Sequence, residues 1–210
     1  MLSDLLMDEI FTHYQQRLSA HQNLVKYFEA KNIDNYVNLA LGISHPEGNY
    51  SASEHELGHQ VLNNNTHQAV FNLATSIVGL HSANHLPQTI HLANMPYLRI
   101  SLGSEMAMML NPDKYWVGNV RTIYSHLLLK HNGNKAHADE ELRLYKEPDG
   151  GRPSSMEYKI WSDLYLSLDE SLKQIVSLGN AEAKKQGVQA GEHIYMWADA
   201  ISSKLYANHA

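Results

Sequence analysis

The chain has 210 residues, of which 43% are hydrophobic and 18% charged, a composition typical of a folded globular protein. The formal net charge is −6, and the basic residues form no run longer than Lys184-Lys185, which disfavours a broad nucleic-acid surface and leaves room only for a small local RNA site. There is no cysteine, so disulfides, thiolate metal sites and thiol catalysis are excluded.

Two features of the sequence favour the cytoplasm. The N-terminal stretch MLSDLLMDEIF places acidic residues among apolar ones and has no basic region before them, which is not the pattern of a signal peptide. No apolar run approaches the roughly 20 residues that cross a bilayer. We therefore expect a cytoplasmic protein that does not insert into a membrane.

The first third of the chain has the periodicity of α-helices. Apolar residues recur every three or four positions from Leu6 to Leu18, and the pattern continues to Phe28. A short helix is predicted over 35–41, and the HPEGN stretch at 45–49 is a predicted loop. Ser53 and Glu56 have capping-box spacing, which predicts a helix over about 53–62.

Helical spacing also dominates the middle of the chain. Thr66 is a predicted N-cap for a helix whose apolar stripe continues to His81 and which Pro87 ends or kinks. The spacing from Leu98 to Met109 predicts a methionine-rich core helix, although residues 98–102 also alternate like a strand. An apolar helix over 116–127 and a polar helix over about 136–146 follow.

The stretch EPDGGRP, residues 147–153, is the clearest break in the pattern and a candidate mobile connection. After it, Ser154 and Glu157 have capping-box spacing at the head of a long helix that Gly179 is expected to end. A last helix carries Ile194 to Leu205. We predict a single all-α domain over residues 1–210, an irregular bundle of about seven to nine helices.

The first pattern that suggests chemistry is HELGH, residues 55–59. His55 and His59 are four residues apart, so on one helix they could share a zinc ion, and Glu56 could activate a metal-bound water. The pattern resembles the H-E-x-x-H motif of zinc metallopeptidases, which implies a zinc-dependent hydrolase. A third ligand would have to come from elsewhere, with His67 and Glu105 as candidates.

A second histidine pair, His81 and His85, has the same four-residue spacing. On a continuous helix both rings would face one side, as in metal sites built from facing helices of a bundle. Together with His55 and His59 this pair would supply four imidazoles to one metal ion, and zinc is the candidate metal. The structural alternative is two helix-end histidines that bond to carbonyls or water.

The third pattern lies in VRTIYSHLLLKHNG, where four residues separate Arg121 from His126. It resembles the R-x4-6-H motif of HEPN ribonucleases, which are helical and usually dimeric. The resemblance covers about a dozen residues and implies metal-independent RNA cleavage. His126 would transfer the proton and Arg121 would stabilise the charge on the phosphorane. Thr122 stands where that family often has a polar amide.

Glu105 is the remaining singular position, because it lies among methionines in the predicted core helix. A buried carboxylate requires a partner, and we expect an arginine such as Arg99.

The functional hypothesis that we place first is a non-enzymatic helical protein that binds a protein partner or self-associates. The alternatives are the ribonuclease of Arg121 and His126, and then the zinc hydrolase of His55, Glu56 and His59.

Overall fold

The computed structural model of the chain describes residues 2–145 and 154–208. Within these ranges it contains eleven α-helices, three short 3-10 turns and no β-strand. The helices are α1 (Met7–Glu29), α2 (Ile33–Ala40), α3 (Tyr50–Ser53), α4 (Leu57–Asn64), α5 (His67–Val78), α6 (Leu86–Ala93), α7 (Ile100–Leu110), α8 (Val120–Lys130), α9 (Lys135–Leu142), α10 (Ser155–Lys185) and α11 (Ile194–Ala207). The all-α prediction is confirmed, but the expected count of seven to nine was too low. The candidate mobile connection at 147–153 lies outside the described residues.

Two helices form the centre of the bundle. Every residue of α7 from Ile100 to Met109 is buried, and so is every residue of α11 from Tyr195 to Ser202. Helices α1, α8 and α10 all pack against α11, and α5 and α6 cover α7. Residues 98–102 do not form the alternative strand: residues 100–102 are the first turn of α7, and Leu98 and Arg99 precede it. None of the described helices is both long and apolar enough to span a bilayer.

Side-chain caps determine where several helices begin. The Thr66 side chain accepts a hydrogen bond from the Ala69 N–H and starts α5, as predicted. Ser154 and Glu157 form the predicted capping box at the head of α10. These caps are local, so sequence spacing alone was sufficient to find them.

Several helix boundaries differ from the predictions, among them the start of α8 at Val120 instead of 116 and the boundaries near Gly179 and Pro87. Helix α10 does not end at Gly179 but continues to Lys185, and Gly179 is buried against α11. A Cβ atom at Gly179 would lie 2.3 Å from Cδ1 of Ile201, so the glycine permits close packing of the two helices. Pro87 lies in the first turn of α6, where its missing N–H is tolerated, and α5 has already ended at Val78.

Candidate functional site

The structure places the HELGH residues at the junction of two short helices. His55 follows α3, Glu56 has a left-handed backbone with φ of 51°, and α4 begins only at Leu57. His55 and His59 therefore do not share one helix face, and Glu56 and both histidines are exposed. The predicted capping box was wrong, because the Ser53 hydroxyl donates to the Tyr50 carbonyl and belongs to the end of α3.

Gly58 gives this motif a structural explanation. A Cβ atom at position 58 would lie 2.3 Å from the carbonyl oxygen of Leu41 and 2.9 Å from Cγ1 of Ile43. Any larger residue would force α4 away from the chain segment that follows α2. The glycine of the motif is thus required for packing, independently of any chemistry at the neighbouring histidines.

The second histidine pair is also separated by backbone geometry. His81 lies in the link after α5, and His85 ends the 3-10 turn Ala83–His85. Both side chains are exposed. Among residues 2–145 and 154–208, no three His, Cys, Asp or Glu side chains form a group that could hold a metal ion. A zinc site at these four histidines therefore stays a prediction.

Arg121 and His126 lie on different faces of α8, because five residues correspond to about 140° of rotation around a helix. The Arg121 guanidinium points to Glu54 and Glu105, whereas Nδ1 of His126 lies 2.7 Å from the Ser171 hydroxyl of α10. Burial lowers the pKa of His126, and the nearby Lys130 lowers it further. RNA cleavage by this pair stays a prediction.

The main concentration of buried charge in the described part of the chain is elsewhere. It is formed by four side chains from four helices, α1, α7, α8 and α11, all of them buried: Arg17, Glu105, Arg121 and Asp199. We call these four residues the buried charge cluster. Moving charges out of water costs several kcal/mol each unless partners compensate, so such a cluster is a candidate functional site.

Glu105 is the best-compensated member of the cluster. Its carboxylate accepts hydrogen bonds from the backbone N–H groups of Tyr50 and Ser51 at 2.8 and 3.0 Å, and from the Ser51 hydroxyl at 2.6 Å. The Arg17 guanidinium lies 2.8 Å away, so the partner is Arg17 and not the expected Arg99. Burial alone would raise the pKa of Glu105, but the two arginines and Ser51 hold it below its usual value.

Tyr50 lies between the two arginines of the cluster. The guanidinium carbon of Arg17 is 4.8 Å from the centre of the Tyr50 ring, and that of Arg121 is 5.6 Å away. Both distances are within the range of a cation–π interaction. The His13 ring stacks on Tyr50 with ring centres 5.2 Å apart, and the tyrosine hydroxyl lies 3.5 Å from Nδ1 of His13.

The pKa of His13 is lowered to about 4, first by burial and then by the positive charges of Arg17 and Arg121. The imidazole is therefore neutral at pH 7. Its Nε2 atom is buried and has no hydrogen-bond partner among residues 2–145 and 154–208. Burial also raises the pKa of Tyr50 to about 12, so this hydroxyl stays protonated.

Several polar atoms of the cluster make no hydrogen bond within the described part of the chain. They are Nε of Arg17, Nε and Nη2 of Arg121, and Oδ1 of Asp199. Burial raises the pKa of Asp199 in spite of the two arginines. A buried polar atom without a partner costs about 1–3 kcal/mol, and native proteins pair most of these atoms. Both arginines and Asp199 thus keep unused hydrogen-bonding capacity, most of it on Arg121, whereas both oxygens of Glu105 are used.

Sequence reasoning missed Arg17 and Asp199, although each carried a signal. Arg17 continues the spacing of the buried residues Ile10 and Tyr14 on α1. Asp199 is the one charged residue in the apolar stretch YMWADAIS of α11. A charged residue that occupies a core position of a helix requires a buried counter-charge, and that requirement could have been read from the spacing.

A separate feature, at the surface, involves α6 and the first turns of α10. The rings of His91 on α6 and Tyr158 on α10 stack with centres 3.9 Å apart and form a contact between the two helices. On these two helices, Leu92 of α6 is 71% exposed, and Met156 and Ile160 of α10 are 74% and 44% exposed. Met156 and Ile160 are four residues apart and share one face of α10. We call Leu92, Met156 and Ile160 the apolar end.

The chain was also compared with known proteins. No protein-family model, no curated protein and no solved structure matches it.

Proposed function

We propose that this chain is a non-enzymatic helical protein that self-associates through the apolar end. The observation that carries the proposal is the exposure of three large apolar side chains on two adjoining helices, Leu92, Met156 and Ile160. Single exposed apolar residues are normal on a protein surface, but three large ones on two helices that pack together favour an interaction site. A second copy of the chain is the occupant that we infer, because most soluble oligomers are homo-oligomers.

The energies favour a weak and reversible association. Full burial of a leucine, isoleucine or methionine side chain contributes about 1.5–3 kcal/mol, and these three side chains are already partly covered. Six such side chains in a symmetric pair would contribute roughly 6–12 kcal/mol. The loss of translational and rotational freedom costs about 4–15 kcal/mol. We therefore expect a dimer that dissociates on dilution.

The placement of the candidate catalytic groups supports a non-enzymatic role. The Arg121 guanidinium is paired with Glu54 on the same chain, and its side chain is only 6% exposed, so it is not presented to an RNA backbone. His126 bonds to Ser171 on a different face of α8. The HELGH histidines lie on separate segments, which argues against a catalytic metal bound there.

Sedimentation equilibrium at several protein concentrations tests this proposal. We expect the average mass of the wild type to rise towards twice the mass of one chain, and Met156→Glu to abolish the rise. The matched control is Leu178→Glu, which places the same charge at a half-exposed leucine in the last turns of α10. A wild-type mass that stays at one chain at every concentration would refute the proposal.

A further inference from the structure

The Arg121 guanidinium has more donors than partners. It carries five N–H groups, yet its one hydrogen bond joins Nη1 to Oε1 of Glu54 at 2.7 Å. Nη2 is 3.5 Å from Oε2 of Glu105, but Nε and Nη2 make no hydrogen bond to the described residues. Arg121 thus has unused capacity for an acceptor with two oxygens.

Glu105 does not supply that acceptor, because its two oxygens already serve other groups. Oε1 accepts from Tyr50 and pairs with Arg17, and Oε2 accepts from the backbone and the hydroxyl of Ser51. The closest counter-charge of Arg121 is therefore Glu54. The remaining donors of the guanidinium are left for a group from outside this set.

Glu54 is a poorly anchored partner. Its side chain is 51% exposed, and it follows the four-residue helix α3 at a turn in which Glu56 has a left-handed backbone. The carboxylate can rotate into solvent without uncovering apolar core. Because the Glu54 side of the pair is open to water, the attraction between the two charges is screened more than in a fully buried pair, and a competing ligand can displace Glu54.

The surroundings of Arg121 suit a carboxylate rather than a cation. The Tyr50 ring lies beside the guanidinium, and the His13 ring stacks on Tyr50. If the Tyr50 hydroxyl donates to Nδ1 of His13, Nε2 carries the proton and is a buried donor without an acceptor. Two groups with unused donors, Arg121 and His13, therefore both lie next to the Tyr50 ring.

We propose that Arg121 binds a small carboxylate ligand, and that the side chain of Glu54 occupies this binding site when no ligand is present. A ligand carboxylate would displace the carboxylate of Glu54 and bind the guanidinium with two oxygens. The exchange keeps the number of charges constant, since one carboxylate replaces another. This site is separate from the apolar end and does not depend on self-association.

Competition between Glu54 and a free carboxylate predicts how the apparent affinity changes when Glu54 is neutralised. A tethered group competes at an effective concentration that is commonly in the millimolar range, so it weakens the apparent affinity of a free ligand. Removing its charge should therefore strengthen ligand binding. We expect Glu54→Gln to lower the apparent Kd for a free carboxylate by about tenfold or more.

The experiment is a titration with sodium acetate at constant ionic strength, followed by NMR signals of the His13 and Tyr50 rings. In Glu54→Gln we expect saturable shifts at both rings, at lower acetate concentrations than in the wild type. Sodium chloride should not reproduce them. Glu56→Gln is the matched control, because it removes the same charge from an exposed glutamate in the same turn and should behave like the wild type.

A further variant separates the guanidinium from a general effect of charge. Arg121→Lys in the Glu54→Gln background keeps the positive charge but loses the two parallel N–H groups that a carboxylate binds. We expect the saturable shifts with acetate to disappear. Circular dichroism establishes that each variant is folded. Three results would overturn the proposal: equal acetate response in wild type and Glu54→Gln, the same response to chloride, or an equal gain in Glu56→Gln.

Discussion

Arg17 on α1 and Glu105 on α7 form an ion pair in which neither side chain is exposed, with Nη2 of Arg17 2.8 Å from Oε1 of Glu105. The pair connects the first long helix to one of the two central helices. The same carboxylate binds the first residues of α3, and the same guanidinium donates to the Glu47 carbonyl. One pair of side chains therefore positions three separate segments of the chain.

The first prediction concerns removal of this buried charge. Glu105→Gln keeps the size of the side chain but removes the nearer of the two counter-ions of the buried Arg17 and leaves only Asp199, at 3.4 Å. We expect the free energy of unfolding to fall by about 3–5 kcal/mol, because breaking a buried pair leaves positive charge that is poorly compensated. Chemical denaturation followed by circular dichroism measures the change.

The control for that variant is an ion pair at the surface. Glu9 on α1 pairs with Lys204 on α11, and both side chains are substantially exposed. Glu9→Gln should change the free energy of unfolding by less than about 1 kcal/mol. Equal effects of the two substitutions would contradict the importance that we assign to the buried pair.

The second prediction concerns pH and His13. Its pKa is about 4 in the folded protein and about 6.5 in the unfolded chain, so between these values the unfolded chain binds more protons. Stability should therefore fall as the pH is lowered from 6.5 to 4, and the contribution of His13 to this loss is roughly 3 kcal/mol.

Urea denaturation of the wild type and of His13→Gln across this pH range isolates the contribution of the imidazole. The variant should lose less stability between pH 6.5 and pH 4 than the wild type. Asp199 acts in the opposite direction, because its raised pKa favours the folded state as the pH falls, and it is present in both proteins. Parallel stability curves for the two proteins would show that His13 is not the titrating group.

The third prediction separates the two roles that the HELGH pattern could have. Gly58→Ala should destabilise the fold by about 1–3 kcal/mol, because the new Cβ would overlap the Leu41 carbonyl. His59→Ala removes an exposed side chain and should change stability by less than about 0.5 kcal/mol. Thermal unfolding compares both with the wild type.

Gly79→Ala is the glycine control for this series. A Cβ at position 79 would meet nothing closer than 3.5 Å, and the backbone there is right-handed helical. We expect no loss of stability. If Gly58→Ala were equally harmless, the close approach to Leu41 would not be the reason for a glycine in the motif.

The starts of helices could be predicted from neighbouring residues, whereas contacts between distant segments could not. Thr66 and Ser154 act within one helical turn, so their spacing predicted the starts of α5 and α10. The partners of Glu105 come from α1 and from the first residues of α3, and no spacing rule connects those segments to α7. The requirement for a partner was visible in the sequence, but its identity was not.

The candidate sites show the same limit. The interpretation of His55 and His59 as one face assumed a continuous helix, and the left-handed backbone of Glu56 divides that segment in two. No local propensity marks Glu56 for this conformation. The close approach of Gly58 to Leu41 accompanies this break, and it depends on the packing of α4 against a distant part of the chain.

The most direct test of self-association follows the methionine methyl groups by NMR as the protein is diluted. Met156 is exposed at the apolar end, whereas Met106, Met108 and Met109 are buried in α7. We predict that the Met156 methyl signal shifts with concentration while the three α7 signals stay fixed. A Met156 signal that is the same at every concentration would contradict the proposed interface.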